Sequence, residues 1–411
     1  MGFLMLVRRF LTWSRLVPPA QRAEGVRALA LGYLYSPMSQ EMREEAEAAL
    51  TAMLEDPSPL VRQVLSEALA SATDAPRHCV IALAYDQPEI AAPVLGRSPL
   101  LRDEDLIDCA AQGDGAIQSA IASRPCLSAA VSAALAESAP LEALIALALN
   151  EGADLPEFSQ HLMLERFGAD GALREALLAR PNPPASVRSD IVHAAASALT
   201  DFVVEAGWLS ADRAARLQRE VSDKAAMVIA VEAAQDDPLE GCMDMVRHLR
   251  VTGRLTPALM LRALLCGDRA LFEAALAELS GLPLARASGP VCYHQGGGFS
   301  ALYARARMSA DLLPVFRTAL AAQDEAGVVA VMDEARLSRR LIRLVLEHCA
   351  RLEGETLARV SALLRRFEAE AARQDARDVT ERLIQDEENC RLPLLAQTGN
   401  QAPLRMLASA S

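Results

Sequence analysis

Apolar residues recur every three or four positions along most of the chain, the spacing that places them on one face of an α-helix. Alanine and leucine dominate these runs, and most glycine and proline residues lie between them. The period of two that a half-buried β-strand would show is not evident in the sequence. The pattern therefore predicts an all-α protein.

One phrase of the sequence is repeated. The segment 114–125 returns as the segment 170–181, with apolar residues at the same places. Looser copies begin at Asp56 and Asp86, and a weak copy from Ala139 to Asn150 fills the gap, so the period is roughly 28 to 30 residues. A single helical pair cannot bury its apolar face, so such units stack on their neighbours. The repeat predicts an α-solenoid, a superhelix of HEAT-like helix pairs.

Breaks in the repeat indicate the domain organisation. Pro183 and Pro184 interrupt the phase, and two longer helical patterns follow, separated by the turn from Gly207 to Ser210. The repeat phrase returns at Gly267 and Asp268. We therefore expect five parts: an N-terminal basic amphipathic helix (1–27), a HEAT-like repeat array (28–182), a helical linker hairpin (183–254), a second helical array (255–390) and a C-terminal tail (391–411).

Several of these phrases resemble a known family. The run from Leu255 to Leu265, the Gly267-Asp268 phrase, Gly298-Phe299 with the Ala301–Tyr303 segment, and the Arg97–Leu101 phrase look like those of a bacterial HEAT-like helical-repeat family of uncharacterised function. The resemblance covers most of the chain. It implies a superhelix of helix pairs and implies nothing about a reaction, because the shared phrases are structural.

The first helix is amphipathic and basic. Its apolar face and its arginines suit two roles, a cap that covers the first repeat or an anchor on a membrane surface or a partner groove. A disordered segment is the third alternative. The cap is the preferred hypothesis, because terminal repeats of a solenoid otherwise expose an apolar end. The residues that would form the anchor are Phe3, Val7, Arg8, Arg9, Phe10 and Trp13.

Arg97, Arg124 and Arg180 each precede a proline-containing stop at the end of a repeat helix. We expect them on equivalent turns of successive repeats. The preferred hypothesis is structural: each complements a helix C-terminus and pairs with an acidic turn residue. The alternative is a row of guanidinium groups that binds acidic side chains or phosphates of a partner.

Net charge and cysteine spacing indicate the kind of partner and the cellular compartment. The formal net charge of -13 disfavours bulk attraction to nucleic acid. The eight cysteines lie far apart without a C-x-x-C pair, as expected for reduced thiols in a cytosolic protein. A cytoplasmic location follows, with peripheral contact at the inner membrane through the first helix as the alternative.

Catalytic signatures are missing from the sequence. The six histidines are scattered, and no H-E-x-x-H, G-x-S-x-G or C-x-x-C motif occurs. We therefore expect no catalytic residues, no metal site and no cofactor. The sequence favours a non-enzymatic protein–protein interaction scaffold or adaptor with a protein partner. The alternative is a HEAT-like nucleic-acid-binding protein or DNA glycosylase-type enzyme, which needs a basic concave groove.

Overall fold

The computed structural model describes residues 10–236, 240–326, 336–349 and 355–399. Helices connected by short turns make up this part of the chain, and its only β pairing is an isolated bridge between Leu127 and Ala153. The all-α prediction is confirmed. Within the same residues, every helix is either too short or too polar to cross a bilayer.

The chain divides into two compact units, Met1–Ser222 and Asp223–Ser411. The division falls inside the segment expected to link two arrays. The helices of the first unit are α1 (Pro19–Tyr35), α2 (Gln40–Met53), α3 (Pro59–Leu69), α4 (Arg77–Ala84), α5 (Pro88–Arg97), α6 (Asp103–Gln112), α7 (Gly115–Ala122), α8 (Ala129–Ser138), α9 (Leu141–Leu149), α10 (Glu157–Phe167), α11 (Gly171–Leu178), α12 (Ala185–Glu205) and the first half of α13 (Ala211–Asp236).

The aspartate that opens each of the two clearest copies of the repeat phrase is a helix cap. Asp114 accepts hydrogen bonds from the amides of Ala116 and Ile117 at the start of α7. Asp170 accepts one from the amide of Leu173 at the start of α11. A side-chain oxygen at this position satisfies amides that have no partner within the helix. These two aspartates therefore set where α7 and α11 begin.

Alternate helices of the first unit pack side by side. The first layer consists of α1, α3, α5, α7, α9 and α11, each in contact with the next in that order. In the second layer α6, α8, α10 and α12 do the same. One continuous apolar core runs between the helices from Ala23 to Ile191. This neighbour-to-neighbour packing is consistent with the predicted solenoid of helix pairs.

The second unit has an aromatic core. Phe272 stacks on Phe316 with ring centroids 5.4 Å apart, and Tyr303 lies 5.8 Å from the same ring. Its helices are the second half of α13, then α14 (Glu240–Val251), α15 (Pro257–Leu265), α16 (Arg269–Ser280), α17 (Leu284–Cys292), α18 (Gly297–Arg305), α19 (Leu313–Ala326), α20 (Arg339–Cys349) and α21 (Glu355–Gly399). Because α21 continues to Gly399, the start of the predicted tail at residue 391 is not the end of a helix.

A buried ion pair joins α15 to α21. The guanidinium of Arg262, almost fully buried, donates two hydrogen bonds to the carboxylate of Glu370, of 3.0 and 2.6 Å. It also lies 5.0 Å from the ring centroid of Phe367. A buried charge is tolerated only while it keeps its partner, so this pair fixes the position of α21 against the core.

We predict that Glu370→Ala lowers the free energy of unfolding by about 3 kcal/mol, because it leaves the buried Arg262 without its carboxylate. The matched control is Glu368→Ala on the same helix, where the lost ion pair with Arg343 is largely exposed. That change should lower the free energy by less than about 1 kcal/mol. Urea unfolding followed by circular dichroism measures both values, and equal losses would contradict the assignment.

Candidate interaction site

The side chain of Arg124 is buried and hydrogen-bonded within the first unit. Only 9% of its surface is exposed, and its guanidinium donates to the backbone carbonyl of Leu95 and, at 2.8 Å, to that of Ser98. Both carbonyls belong to the end of α5, the preceding helix of the first layer. Burial lowers the pKa of Arg124 from its ordinary value. The side chain therefore serves a helix C-terminus, through carbonyls and not through an aspartate.

Arg180 has the same role two helices later in that layer. Its Nη1 donates to the carbonyls of Ala148 and Asn150 at 3.1 and 3.0 Å, and its Nη2 donates to the carbonyl of Ala153 at 2.8 Å. These carbonyls lie at and just beyond the end of α9. The half-buried guanidinium thus has most of its donors occupied within the protein.

Asn150 completes the series between these two arginines. Its Nδ2 donates to the carbonyls of Ala122 and Arg124, at 2.8 and 2.7 Å, at the end of α7. Sequence reasoning missed this residue, which directly follows the last residue of α9. We call Arg124, Asn150 and Arg180 the C-terminal ladder, since each bonds the end of the preceding first-layer helix.

Arg97 does not belong to the ladder. It is the last residue of α5, whereas Arg124 and Arg180 each lie two residues beyond the last residue of their helix. Arg97 is exposed, and no hydrogen bond or ion pair of its side chain occurs among the described residues. The expectation of three equivalent arginines therefore fails for Arg97.

The opposite end of the first layer has its own arginine contacts. Arg22 donates two hydrogen bonds to Asp56, at 2.7 and 2.9 Å, and Arg62 donates two to Asp86, at 2.6 and 3.0 Å. Burial acts to raise the pKa of both aspartates, but the hydrogen bonds from the arginines outweigh it and hold each pKa below its usual value. These pairs join α1 to the turn before α3, and α3 to the turn before α5.

A histidine links two helices of the second layer. His161 on α10 lies with Nδ1 2.6 Å from a carboxylate oxygen of Asp190 on α12, and with Nε2 3.5 Å from Glu157. Burial acts to lower the pKa of His161, but the two carboxylates outweigh it and raise the pKa. The contact between His161 and Asp190 therefore joins neighbouring repeats.

The closed end of the α12–α13 hairpin exposes apolar side chains. Phe202 and Trp208 are 56% and 70% exposed, and their rings meet edge to face with centroids 5.7 Å apart. Gly207 has a φ of 70°, which lets the chain turn so that the Trp208 amide donates to the carbonyl of Val203. We define the hairpin-tip patch as the exposed apolar residues Leu199, Phe202, Trp208, Leu217 and Val221.

The sequence predicted this hairpin but not its exposed surface. His193 Nδ1 lies 3.2 Å from Ser222 Oγ, as expected for two antiparallel helices. Counting six residues from this contact towards the turn on each helix brings Leu199 level with Arg216, the neighbour of Leu217. A tryptophan in a tight turn was the available signal, because an aromatic ring at that place has few neighbours to cover it.

The N-terminal candidate residues are only partly described. Phe3, Val7, Arg8 and Arg9 lie outside the described residues. Phe10 and Trp13 have ring centroids 5.8 Å apart, and residues 10–14 are helical. A Cβ added at Gly25 of α1 would lie 2.6 Å from the Trp13 ring and 2.9 Å from the Phe10 ring. The two rings therefore lie against the first repeat helix, at a position that only glycine allows.

Comparison with known protein families gives a match, which covers more than half of the chain. A family model described as "Uncharacterised protein conserved in bacteria (DUF2336)" matches residues 90–355. The match includes the C-terminal ladder and the hairpin-tip patch. Comparisons with curated proteins and with solved structures gave no significant match.

We predict that Gly25→Ala displaces the Phe10 and Trp13 rings from α1. Fluorescence of Trp13 should shift to the red, best read in a Trp208→Phe background because the chain has two tryptophans. The matched control is Gly32→Ala on the same helix, where the new Cβ would be 3.9 Å from Met38. That change should stabilise the chain by about 0.5 to 1 kcal/mol, because alanine favours helix. An unchanged Trp13 spectrum in Gly25→Ala would contradict the packing.

Proposed function

We propose that this chain, which belongs to the DUF2336 family of uncharacterised bacterial proteins, is a non-enzymatic protein–protein interaction scaffold. It acts by binding a protein partner on the hairpin-tip patch. The observation that carries the proposal is the pair of exposed aromatic rings at the closed end of the hairpin, Phe202 and Trp208.

Exposed aromatic clusters favour a binding role for physical reasons. A single exposed apolar side chain is common, but a contiguous apolar patch usually marks an interaction surface, because water around it is released on binding. Tryptophan is among the residues that contribute most at protein interfaces. The edge-to-face contact of Phe202 with Trp208 holds both rings in place, so less side-chain freedom is lost when a partner binds.

The contacts of the repeat arginines are not those expected of a row of guanidinium groups that binds a partner's phosphates. Arg124 and Arg180 are committed to backbone carbonyls, so their donors are occupied before any partner arrives. The excess of acidic residues over the whole chain adds to this, because a negative field repels the phosphate backbone. A protein partner is therefore favoured over nucleic acid.

We propose a cytoplasmic location for this scaffold. The support is that the seven cysteines whose side chains the structure describes are free thiols, as expected in a reducing compartment. The contact of Phe10 and Trp13 with α1 favours the capping role of the first helix over the anchor at the inner membrane. Flotation of the full chain with anionic vesicles, lost in high salt, would favour the anchor.

The proposal is tested by comparing the proteins that the full chain captures in its host after cross-linking. The test variant is Phe202→Ser with Trp208→Ser. The control is Val251→Ser with Tyr293→Ser, two side chains of the second unit that are each 81% exposed. Removing the two aromatic side chains should raise the dissociation constant of the partner by more than about 30-fold.

The expected result is a set of proteins bound by the wild type and the control and lost in the test variant, at an unchanged melting temperature. Identical capture by all three chains would contradict the proposal. Binding of duplex DNA that falls steeply with salt would favour the HEAT-like nucleic-acid-binding or glycosylase-type alternative instead.

A further inference from the structure

The hairpin tip exposes charges of opposite sign on its two helices. On α12 the exposed acidic residues near the tip are Asp201 and Glu205, and on α13 the exposed basic residues include Arg213 and Arg216. None of these four side chains has an ion pair among the described residues of the first unit. The α12 side of the tip is therefore acidic, and the α13 side, where Arg213, Arg216 and Arg219 outnumber Asp212 and Glu220, is basic.

The charges flank the apolar side chains. At about 100° per residue, Leu199 and Phe202 lie on one side of α12 with Glu205 beside them. By the same geometry, Leu217 and Val221 lie on one side of α13 with Arg213 beside them. Each helix thus offers an apolar stripe with a charged border, and the borders differ in sign.

We infer that the hairpin-tip patch binds the same patch of a second copy of this chain. The inference rests on the proposed function and names its partner. A twofold symmetric interface must be complementary to itself, so that a surface on one copy meets a different surface on the other and the contact occurs twice. An acidic helix beside a basic helix meets this requirement, because α12 of each copy can face α13 of its partner.

The geometry of such a dimer is an ordinary one. Two antiparallel hairpins that pack with their apolar stripes inwards form a four-helix bundle. Asp201 and Glu205 of one copy then face Arg213 and Arg216 of the other, at both edges of the bundle. The exposed rings of Phe202 and Trp208 become buried between the hairpins. A partner that carried charge of only one sign would satisfy only one of the two edges.

Charge reversal on each helix tests this arrangement in the purified full chain. One variant carries Arg213→Glu and Arg216→Glu, so both edges are acidic; the other carries Asp201→Arg and Glu205→Arg, so both are basic. Sedimentation velocity over roughly 1 to 100 μM chain measures self-association in this affinity range. The wild type should dimerise, each variant alone should associate at least tenfold more weakly, and an equimolar mixture of the two should recover the dimer.

The control is Arg97→Glu with Arg102→Glu, a reversal of two exposed arginines away from the hairpin, which should dimerise like the wild type. Circular dichroism and the melting temperature should be unchanged in all variants, since every altered side chain is exposed. A monomeric wild type at the highest concentration overturns the inference, as does a dimer that both reversals leave intact. If the wild type is monomeric and the patch still captures another protein, the proposed function stands and only its partner is wrong.

Discussion

The stability of the first unit depends on the unpaired backbone carbonyls at the ends of its short helices. The last four carbonyls of any α-helix have no amide partner within the helix. In α7 and α11, which have eight residues each, these groups make up half of the helix. Stacking such helices buries their ends, and a buried carbonyl without a donor is strongly unfavourable. The C-terminal ladder supplies those donors from the next helix of the layer, so the contact that satisfies one repeat also joins it to its neighbour.

The same contacts distinguish side chains that stabilise the repeats from side chains that are available to a partner. Side chains that could bind a partner's anions, such as the Arg124 guanidinium, are occupied by the protein's own backbone. Arg166 extends this to the second layer, where it donates to the carbonyls of Ala136 and Ala139 at 2.6 and 2.8 Å. The hairpin tip differs, because its aromatic rings and charged edges have few internal partners. The proposed binding surface therefore lies at the hairpin, apart from the contacts that join the repeats.

The sequence predicted those features that local rules determine. Apolar spacing indicates helices, and the recurring aspartate indicates where α7 and α11 begin, because an N-cap acts on amides two or three residues away. The repeat phrase also drew attention to Arg124 and Arg180, although it indicated aspartates as their partners and the structure has carbonyls. The family resemblance was confirmed, while the role of the chain as a scaffold stays a proposal.

Features that depend on the packing of distant residues were not predictable in this way. The pairing of Arg22 with Asp56 joins α1 to the turn before α3, and no spacing rule connects the two residues. Arg97 is still inside α5 while Arg124 lies beyond the end of α7, a difference in helix length that a loose sequence copy cannot resolve. The exposure of Phe202 was hidden as well, because a helical apolar stripe has the same pattern whether or not another element covers it.

The central claim is that the C-terminal ladder holds the first unit together, and urea unfolding of three variants tests it most directly. Arg124→Met and Asn150→Ala should each lower the free energy of unfolding by about 2 kcal/mol, because each leaves two backbone carbonyls without a donor. Arg97→Met, at the end of α5 but outside the ladder, should change it by less than about 0.5 kcal/mol. Equal and small effects in all three variants would contradict the account.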